Sequence, residues 1–167
     1  IMTSGKEDSL NKILPLVKEY GTAVIGLTMD DNGIPDTADQ RVAIAHKIVE
    51  KAETIGIPRE DIIIDCLTMT VGANSQAGLL VLESIRRVKT ELGVNMTLGA
   101  SNISFGMPPR NLLNSAFITL AISLGVNCPI INVAKLGPAI FASDLILNHD
   151  SYGQRYIEAF RKRKNDP

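Results

Sequence analysis

Ile62-Ile63-Ile64-Asp65 is the stretch on which the fold turns. Three β-branched apolar residues run together and end on a carboxylate, with no alternation of apolar and polar positions. Such a run reads as a strand buried on both faces, the mark of a parallel sheet. Pro58 and the acidic pair Glu60-Asp61 lead into it. Similar runs lie on either side: Ile1 to Ser4 as the end of a strand, Thr22 to Thr28, Met96 to Ala100, and Cys128 to Val133. Segments of helical period separate them. Lys6 to Tyr20 carries Leu10, Ile13, Leu14 and Val17 on one face, and Thr37 to Ile55 carries Val42, Ala45, Ile48, Val49 and Ala52. Ala77 to Leu92 carries Leu79, Leu80, Leu82, Ile85 and Val88, and Asn111 to Leu124 follows. Gly21, Gly56, Gly93 and Gly125 stop these helices. Pro138 to Leu147 and Tyr152 to Arg163 complete the helical pieces.

About five strand–helix units with no hairpin signal predict a parallel sheet covered by helices on both sides. An open doubly wound sheet and a closed barrel both satisfy this pattern. The recurrent helix endings Glu19-Tyr20-Gly21, Thr54-Ile55-Gly56, Glu91-Leu92-Gly93 and Ser123-Leu124-Gly125 favour barrel units. No Pro- or Ser-rich linker interrupts the chain, so residues 1–167 read as one domain. Five units leave a barrel open, and Ile1 already reads as mid-strand, so a piece of a longer chain is expected.

Composition fits an ordered globular domain: 45% hydrophobic and 21% charged residues in 167. Lys plus Arg is 17 against 18 for Asp plus Glu, so no broad electrostatic footprint for nucleic acid is expected. The basic run Arg161 to Lys164 suits a solvated helix end. Cys66 and Cys128 lie far apart in apolar runs and read as buried free thiols. No signal peptide is visible. No apolar run reaches the roughly 18 residues of a membrane span. A soluble cytoplasmic protein is the default.

In either parallel architecture the chemistry lies at the C-terminal ends of the strands. That rule selects Ser4, Thr28 to Asn32, Asp65, Ser101, Asn102 and Asn132. Asp65 needs a partner, because an unpaired buried carboxylate is costly. It either ties the following loop or pairs with a donor-rich ligand edge. Gly99-Ala100-Ser101-Asn102 puts small residues where a ligand can approach the backbone. Asn102 offers a donor and an acceptor without titrating. It serves either as a turn or cap residue or as the partner of a protonating nitrogen. Arg110 reaches an anionic or carbonyl group or pairs at the surface. His46 and His149 read as surface residues, and Asp30 and Asp31 as turn formers; no metal site is expected. No dinucleotide fingerprint, phosphate loop or nucleophile elbow is present in the sequence.

The run Thr97-Leu98-Gly99-Ala100-Ser101-Asn102-Ile103-Ser104-Phe105-Gly106-Met107-Pro108-Pro109-Arg110, followed by Leu112-Leu113-Asn114, resembles the signature of pterin-binding methyltransferases. That family includes the methyltetrahydrofolate:corrinoid protein methyltransferases and the folate domain of cobalamin-dependent methionine synthase. Ile25 to Met29 with Gly33-Ile34-Pro35 and Arg41 resembles the family's fifth strand and loop, and Ile62 to Leu67 its sixth. The resemblance implies a TIM-type (β/α)8 barrel, of which this chain covers about the last five units. It implies transfer of the N5-methyl group of methyltetrahydrofolate to the cobalt of a corrinoid protein or cobalamin domain, a cofactor carried by that partner. It further implies a homodimer, with no nucleic acid or membrane partner.

By the same resemblance Asp65 hydrogen-bonds the pterin ring and Asn102 contacts the N5 region. Gly99, Ser101, Arg110 and Ile130 line the folate. Transfer from a tertiary amine needs N5 activated by a proton or hydrogen bond, since a neutral amine leaves better than an amide anion. Phe105 stands where some members carry glutamine, and no asparagine stands near the first strand. Dihydropteroate synthase shares the barrel but would show a basic Ser-Arg-Lys at the seventh strand, where this chain has Ser101-Asn102-Ile103. A non-catalytic pterin-binding partial barrel is the alternative of a different class.

Overall fold

Ile62 and Ile64 are fully buried, while Ile63 and Asp65, on the opposite face, are half-buried. That asymmetry organises the molecule. The computed structural model describes residues 1–165. Its sheet has four parallel strands in the order of the chain: β1 (Met2–Ser4), β2 (Val24–Leu27), β3 (Ile62–Asp65) and β4 (Asn95–Thr97). Ser4, Leu27, Asp65 and Thr97 stand side by side in the register, forming the C-terminal edge.

Three helices connect the strands: α1 (Glu7–Tyr20), α2 (Ala38–Thr54) and α3 (Ala77–Leu92). The expected starts and stops hold locally for physical reasons. The Thr37 side chain caps α2 by accepting from the Gln40 N–H, and Gly93 ends α3 in the left-handed region at φ 67°. Leu10, Leu14 and Val17 of α1 and Val42, Ala45, Ile48, Val49 and Ala52 of α2 are all buried against the sheet. Gly26 allows that contact, because a Cβ there would lie 2.8 Å from Ile48 Cγ2 and 3.1 Å from Ile64 Cδ1. The start of α1 pairs with the second half of α2 at the surface. Glu7, between Lys47 and Lys51 at 2.8 and 2.7 Å, has its carboxyl held down to about 2 by those ammonium groups.

Helices cover one face only among the described residues, which corrects the expectation of a sheet covered on both sides. Right-handed crossovers that add each strand on the same side place every helix on one face. The core therefore includes Val24, Ile62, Ile64, Met96 and Leu98. Ile25, Leu27 and Ile63 face the other way and stay half-buried, and Met2 is 62% exposed.

The expected fifth strand, Cys128 to Val133, does not form. The segment runs beside β4, with Cys128 N–H donating to Met96 O at 3.0 Å and Ile130 N–H to Leu98 O at 2.9 Å. Asn132 leaves the pairing to cap α5 (Val133–Ile146), accepting from the Lys135 N–H. What remains is a single parallel bridge between Gly99 and Ile130. Cys128 is consequently exposed rather than buried, whereas Cys66 is buried as expected.

Three further boundaries move. β4 ends at Thr97, because residues Ala100–Ser104 wind into a 3-10 turn. α5 begins at Val133, five residues before Pro138. α6 (Gln154–Asn165) follows a separate turn over Ser151–Gly153 in which Tyr152 takes φ 57°. α4 (Arg110–Ser123) lies as expected, packed through Phe117, Ile118 and Ala121. Leu79 is 67% exposed, since the buried face of α3 runs through Ala77, Val81, Ile85, Val88 and Leu92. Lys162 pairs with Glu158 on the final helix, and the Lys164 side chain lies outside the described residues. Among the described residues no helix is long and apolar enough to cross a membrane.

Candidate functional site

β3 delivers Asp65 to the C-terminal edge, where the chain must turn away from the sheet. Its Oδ1 accepts the Leu67 N–H at 2.8 Å, and its backbone carbonyl accepts from the Thr28 N–H at 3.0 Å and Thr28 Oγ1 at 3.1 Å. The expected tie to the following loop is made here. One oxygen ties the turn, and the other has no donor among the described residues. Burial pushes the carboxyl above the usual carboxylate range, and the Leu67 hydrogen bond offsets part of that. Leu67 itself takes φ 58°, unusual for a branched side chain. Thr68 follows, with a buried Oγ1 that has no partner among the described residues.

Arg41 holds this turn from below. It is 1% exposed, yet it carries a guanidinium. Nη1 donates to Cys66 O at 2.8 Å and Leu67 O at 2.9 Å, and Nε donates to Pro35 O at 2.9 Å. One side chain thus fastens the loop after β2 to the exit of β3. Burial lowers its pKa, with the Cys66 thiol and Asp36 acting in the opposite sense. This role was missed in the sequence. The signal was present: positions 41, 45, 48 and 52 share one helix face, so Arg41 sits on the apolar stripe of α2. Cys66 beside it is fully buried, and that burial pushes its thiol up to about 12.

The turn after β4 carries the other candidates. Gly99 is half-buried and bridges to Ile130, which is 61% exposed. Ser101 and Asn102 lie on the 3-10 turn. The Asn102 amide is exposed and makes no hydrogen bond among the described residues. Its Nδ2 lies close over Gly99, 3.2 Å from where a Cβ would stand, so a larger residue at 99 would press on it. Arg110 turns back on this segment: Nη2 donates to Ser101 O at 2.9 Å and Nε to Ser104 Oγ at 3.1 Å.

The two turns are tied together. Thr70 Oγ1 donates to Phe105 O at 2.6 Å, and the Val71 N–H donates to Ile103 O at 3.0 Å. Asp65, Gly99, Ser101, Asn102, Arg110 and Ile130 therefore belong to one end of the molecule, at or just beyond the strand ends. Asn132 serves as a helix cap, and Asp30 as a turn residue whose Oδ1 accepts the Asn32 N–H at 2.8 Å. His46 pairs with Glu91 at 3.1 Å, and His149 lies 3.5 Å from Asp144, both on the surface as expected. A hollow of about 580 Å³ lies at the opposite end of the sheet, lined by Lys89, Asn127, Asp144 and His149 among others. None of the candidate residues lines it.

What the site presents is a carboxylate oxygen, a carboxamide and a buried hydroxyl, all with unspent hydrogen-bonding capacity, on adjoining turns. Such a set recognises a flat ligand with donors along one edge and a nitrogen of variable protonation at another. The sequence profile described as pterin binding enzyme matches residues 3–132, which include every one of these candidates. The methylcorrinoid:tetrahydrofolate methyltransferase of Eubacterium limosum is 30% identical over 171 residues, covering 98% of this chain and 62% of that protein. The methionine synthase of Mycobacterium leprae (strain TN) is 34% identical over 142 residues, covering 80% of this chain and 12% of its own length. That of Mycobacterium tuberculosis (strain ATCC 25618 / H37Rv) is 35% identical over the same length of alignment, with the same shares. The chain thus spans 62% of the length of the first relative and 12% of the two methionine synthases.

Proposed function

The chain belongs to the pterin binding enzyme family, and from that premise we propose that it transfers the N5-methyl group of methyltetrahydrofolate to a corrinoid carried by a partner protein or domain. The observation that carries the reading is the pair of unspent side chains, Asp65 and Asn102, on two turns joined by Thr70 and Val71 at the C-terminal edge of the sheet. The four strands are proposed as part of a TIM-type barrel, since sequential strand order with helices on one face is the winding of a closing barrel. A homodimer is proposed with it.

In this reading the pterin edge donates its N–H groups to the Asp65 carboxylate, and the ring extends toward Asn102. The methyl carbon leaves N5 without the electron pair of the C–N bond, which stays on the nitrogen. A proton already on N5 makes the product a neutral secondary amine. The Asn102 carboxamide accepts from N5–H before transfer and adapts to the neutral amine afterwards, without itself titrating. The corrinoid supplies the nucleophile. The name of the Eubacterium limosum relative puts the methylcorrinoid as donor and tetrahydrofolate as acceptor. Both directions pass through one transition state, so the same side chains serve either.

Asp65 supplies the test. Its pKa is raised in the fold, so its stability contribution is complete while the carboxyl is protonated and is lost as pH rises through that raised value. Asp65→Asn is therefore expected to raise the melting temperature at neutral pH. The same change removes the acceptor for the pterin edge, so calorimetric titration should show methyltetrahydrofolate affinity falling by at least about tenfold. In the unaltered protein, affinity should weaken as pH falls through the raised Asp65 pKa. Unchanged affinity in Asp65→Asn at every pH rules out this placement of the ligand.

A further inference from the structure

We propose that Thr70 is a positioning residue for the reaction: its hydroxyl holds the turn that carries Asn102 against the turn that carries Asp65, and so sets the spacing of those two side chains. This rests on the reading of Asp65 and Asn102 as contacts to two parts of one pterin. A fused ring is rigid, so the groups that meet its edge and its N5 must stand at a fixed separation. Sheet pairing does not supply that separation. The ladder between β3 and β4 ends with Asp65 beside Thr97, and Asn102 lies beyond it on the 3-10 turn Ala100–Ser104. No side chain caps the start of that turn at Gly99.

Thr70 crosses the gap. Its Oγ1 donates to Phe105 O at 2.6 Å, with Ile103 O further off at 3.4 Å. The Gly72 N–H donates to the same Oγ1 at 3.1 Å, which leaves the single hydroxyl proton to point across to the other turn. The Thr70 carbonyl accepts from the Ala73 and Asn74 N–H groups at 3.3 and 3.2 Å, so the residue is fixed within its own loop. On the receiving side Phe105 is held at both ends: its N–H donates to Asn102 O at 3.2 Å, and its carbonyl is taken by Thr70. Close packing surrounds the contact. A Cβ at Gly72 would lie 3.0 Å from Phe105 O and 3.3 Å from Met107 Cγ. The Val71 N–H holds Ile103 O at 3.0 Å, and Ile103 itself is buried. Among the described residues, Thr70 is the one side chain of the loop after β3 that donates to the turn after β4.

The experiment compares Thr70→Val and Thr70→Ser, each alone and combined with Asn102→Ala, using methyltetrahydrofolate and a supplied corrinoid protein. Valine keeps the volume and removes the hydroxyl. The Thr70–Phe105 bond lies at the surface, so the freed carbonyl can turn to water and the fold survives the change. Thr70→Val is expected to lower kcat by about tenfold, because a displaced group at the reacting centre costs rate steeply. KM for methyltetrahydrofolate should change by less than about threefold, since Asp65 keeps its own tie to the Leu67 N–H. Thr70→Ser retains the donor and should stay within about twofold of the unaltered kcat. In the Asn102→Ala background Thr70→Val should cost less than about twofold more, because the two residues act as one unit. A second readout needs no catalysis: the backbone amide order parameters of Asn102 and Phe105 should fall below the ~0.85 of rigid backbone in Thr70→Val, with the β3 amides unchanged. Unchanged kcat, full additivity in the cycle, an effect confined to KM, or a serine variant as slow as the valine variant overturns the proposal. Unchanged order parameters overturn it as well. If the unaltered protein binds no folate and transfers no methyl group, the reading of Asp65 and Asn102 fails and the proposal falls with it; in a protein that does transfer, the outcomes above overturn the proposal alone.

Discussion

Asn102→Ala is expected to lower methyl transfer between methyltetrahydrofolate and a supplied corrinoid protein by about 10²–10³-fold, the usual effect of removing one preorganised polar group at a reacting centre. Affinity for methyltetrahydrofolate should fall far less, because the pterin edge remains on Asp65. The separation follows from what the amide does. In the proposed placement it touches the nitrogen whose bonding changes, so its contribution is greatest where charge at N5 is changing. The fold should tolerate the change well, as the Asn102 side chain is exposed and makes no hydrogen bond among the described residues. Single-turnover transfer, with folate binding measured separately by calorimetry, checks both halves. Transfer at the unaltered rate removes Asn102 from the reaction; affinity lost in step with rate makes it a ground-state contact.

The second large effect is structural. Arg41→Met is expected to destabilise the fold by about 3–5 kcal/mol, since the carbonyls of Pro35, Cys66 and Leu67 lose their donor inside the protein. Methionine fills much of the volume, so the cost reflects lost hydrogen bonds more than a cavity. Leu67 is held at φ 58° in part by this anchor. Without it the turn relaxes, and Asp65, which accepts the Leu67 N–H, moves with it. Urea unfolding should show a lower midpoint with an unchanged slope, and methyltetrahydrofolate affinity should fall under conditions where the variant is still folded. A midpoint within experimental error of the unaltered protein contradicts this account of Arg41.

Much of the fold was legible because local chemistry and global packing agree. Ile62 to Asp65 and Ala77 to Leu92 have the boundaries their sequence implies, one a β-branched run and the other an amphipathic period stopped by Gly93. The misreadings have local causes. Cys128 to Val133 has the composition of a strand, yet only Ile130 forms a bridge with the segment after β4, and Asn132 is used as a helix cap. Leu79 is apolar but falls nearly opposite the buried stripe of α3. Which faces of the sheet are covered depends on strand order, which periodicity does not encode.

The site was legible to the extent that strand ends are. Asp65 and Asn102 were selected as candidates because function in parallel sheets collects at strand ends. Asp65 fills the first of its expected roles, tying the following turn through one oxygen, and the other oxygen has no donor among the described residues. Arg110 was read as a ligand contact or a surface pair; its contacts with Ser101, Ser104 and Phe105 could not be read from the sequence, because they depend on how the turn after β4 winds. Arg41 escaped because a basic residue at the start of an amphipathic helix ordinarily belongs to its solvated face. Its carbonyl partners lie up to 26 residues away in sequence, beyond the reach of any local pattern.

The central claim is that folate binds across the turns after β3 and β4. A residue-resolved NMR titration of the protein with methyltetrahydrofolate tests it most directly. The expected result is saturable shifts at Asp65 to Thr68 and Gly99 to Phe105, with the amides around Lys89, Asn127 and His149 unmoved. Shifts confined to the hollow at the opposite end of the sheet, or no saturable shift at all, contradict it.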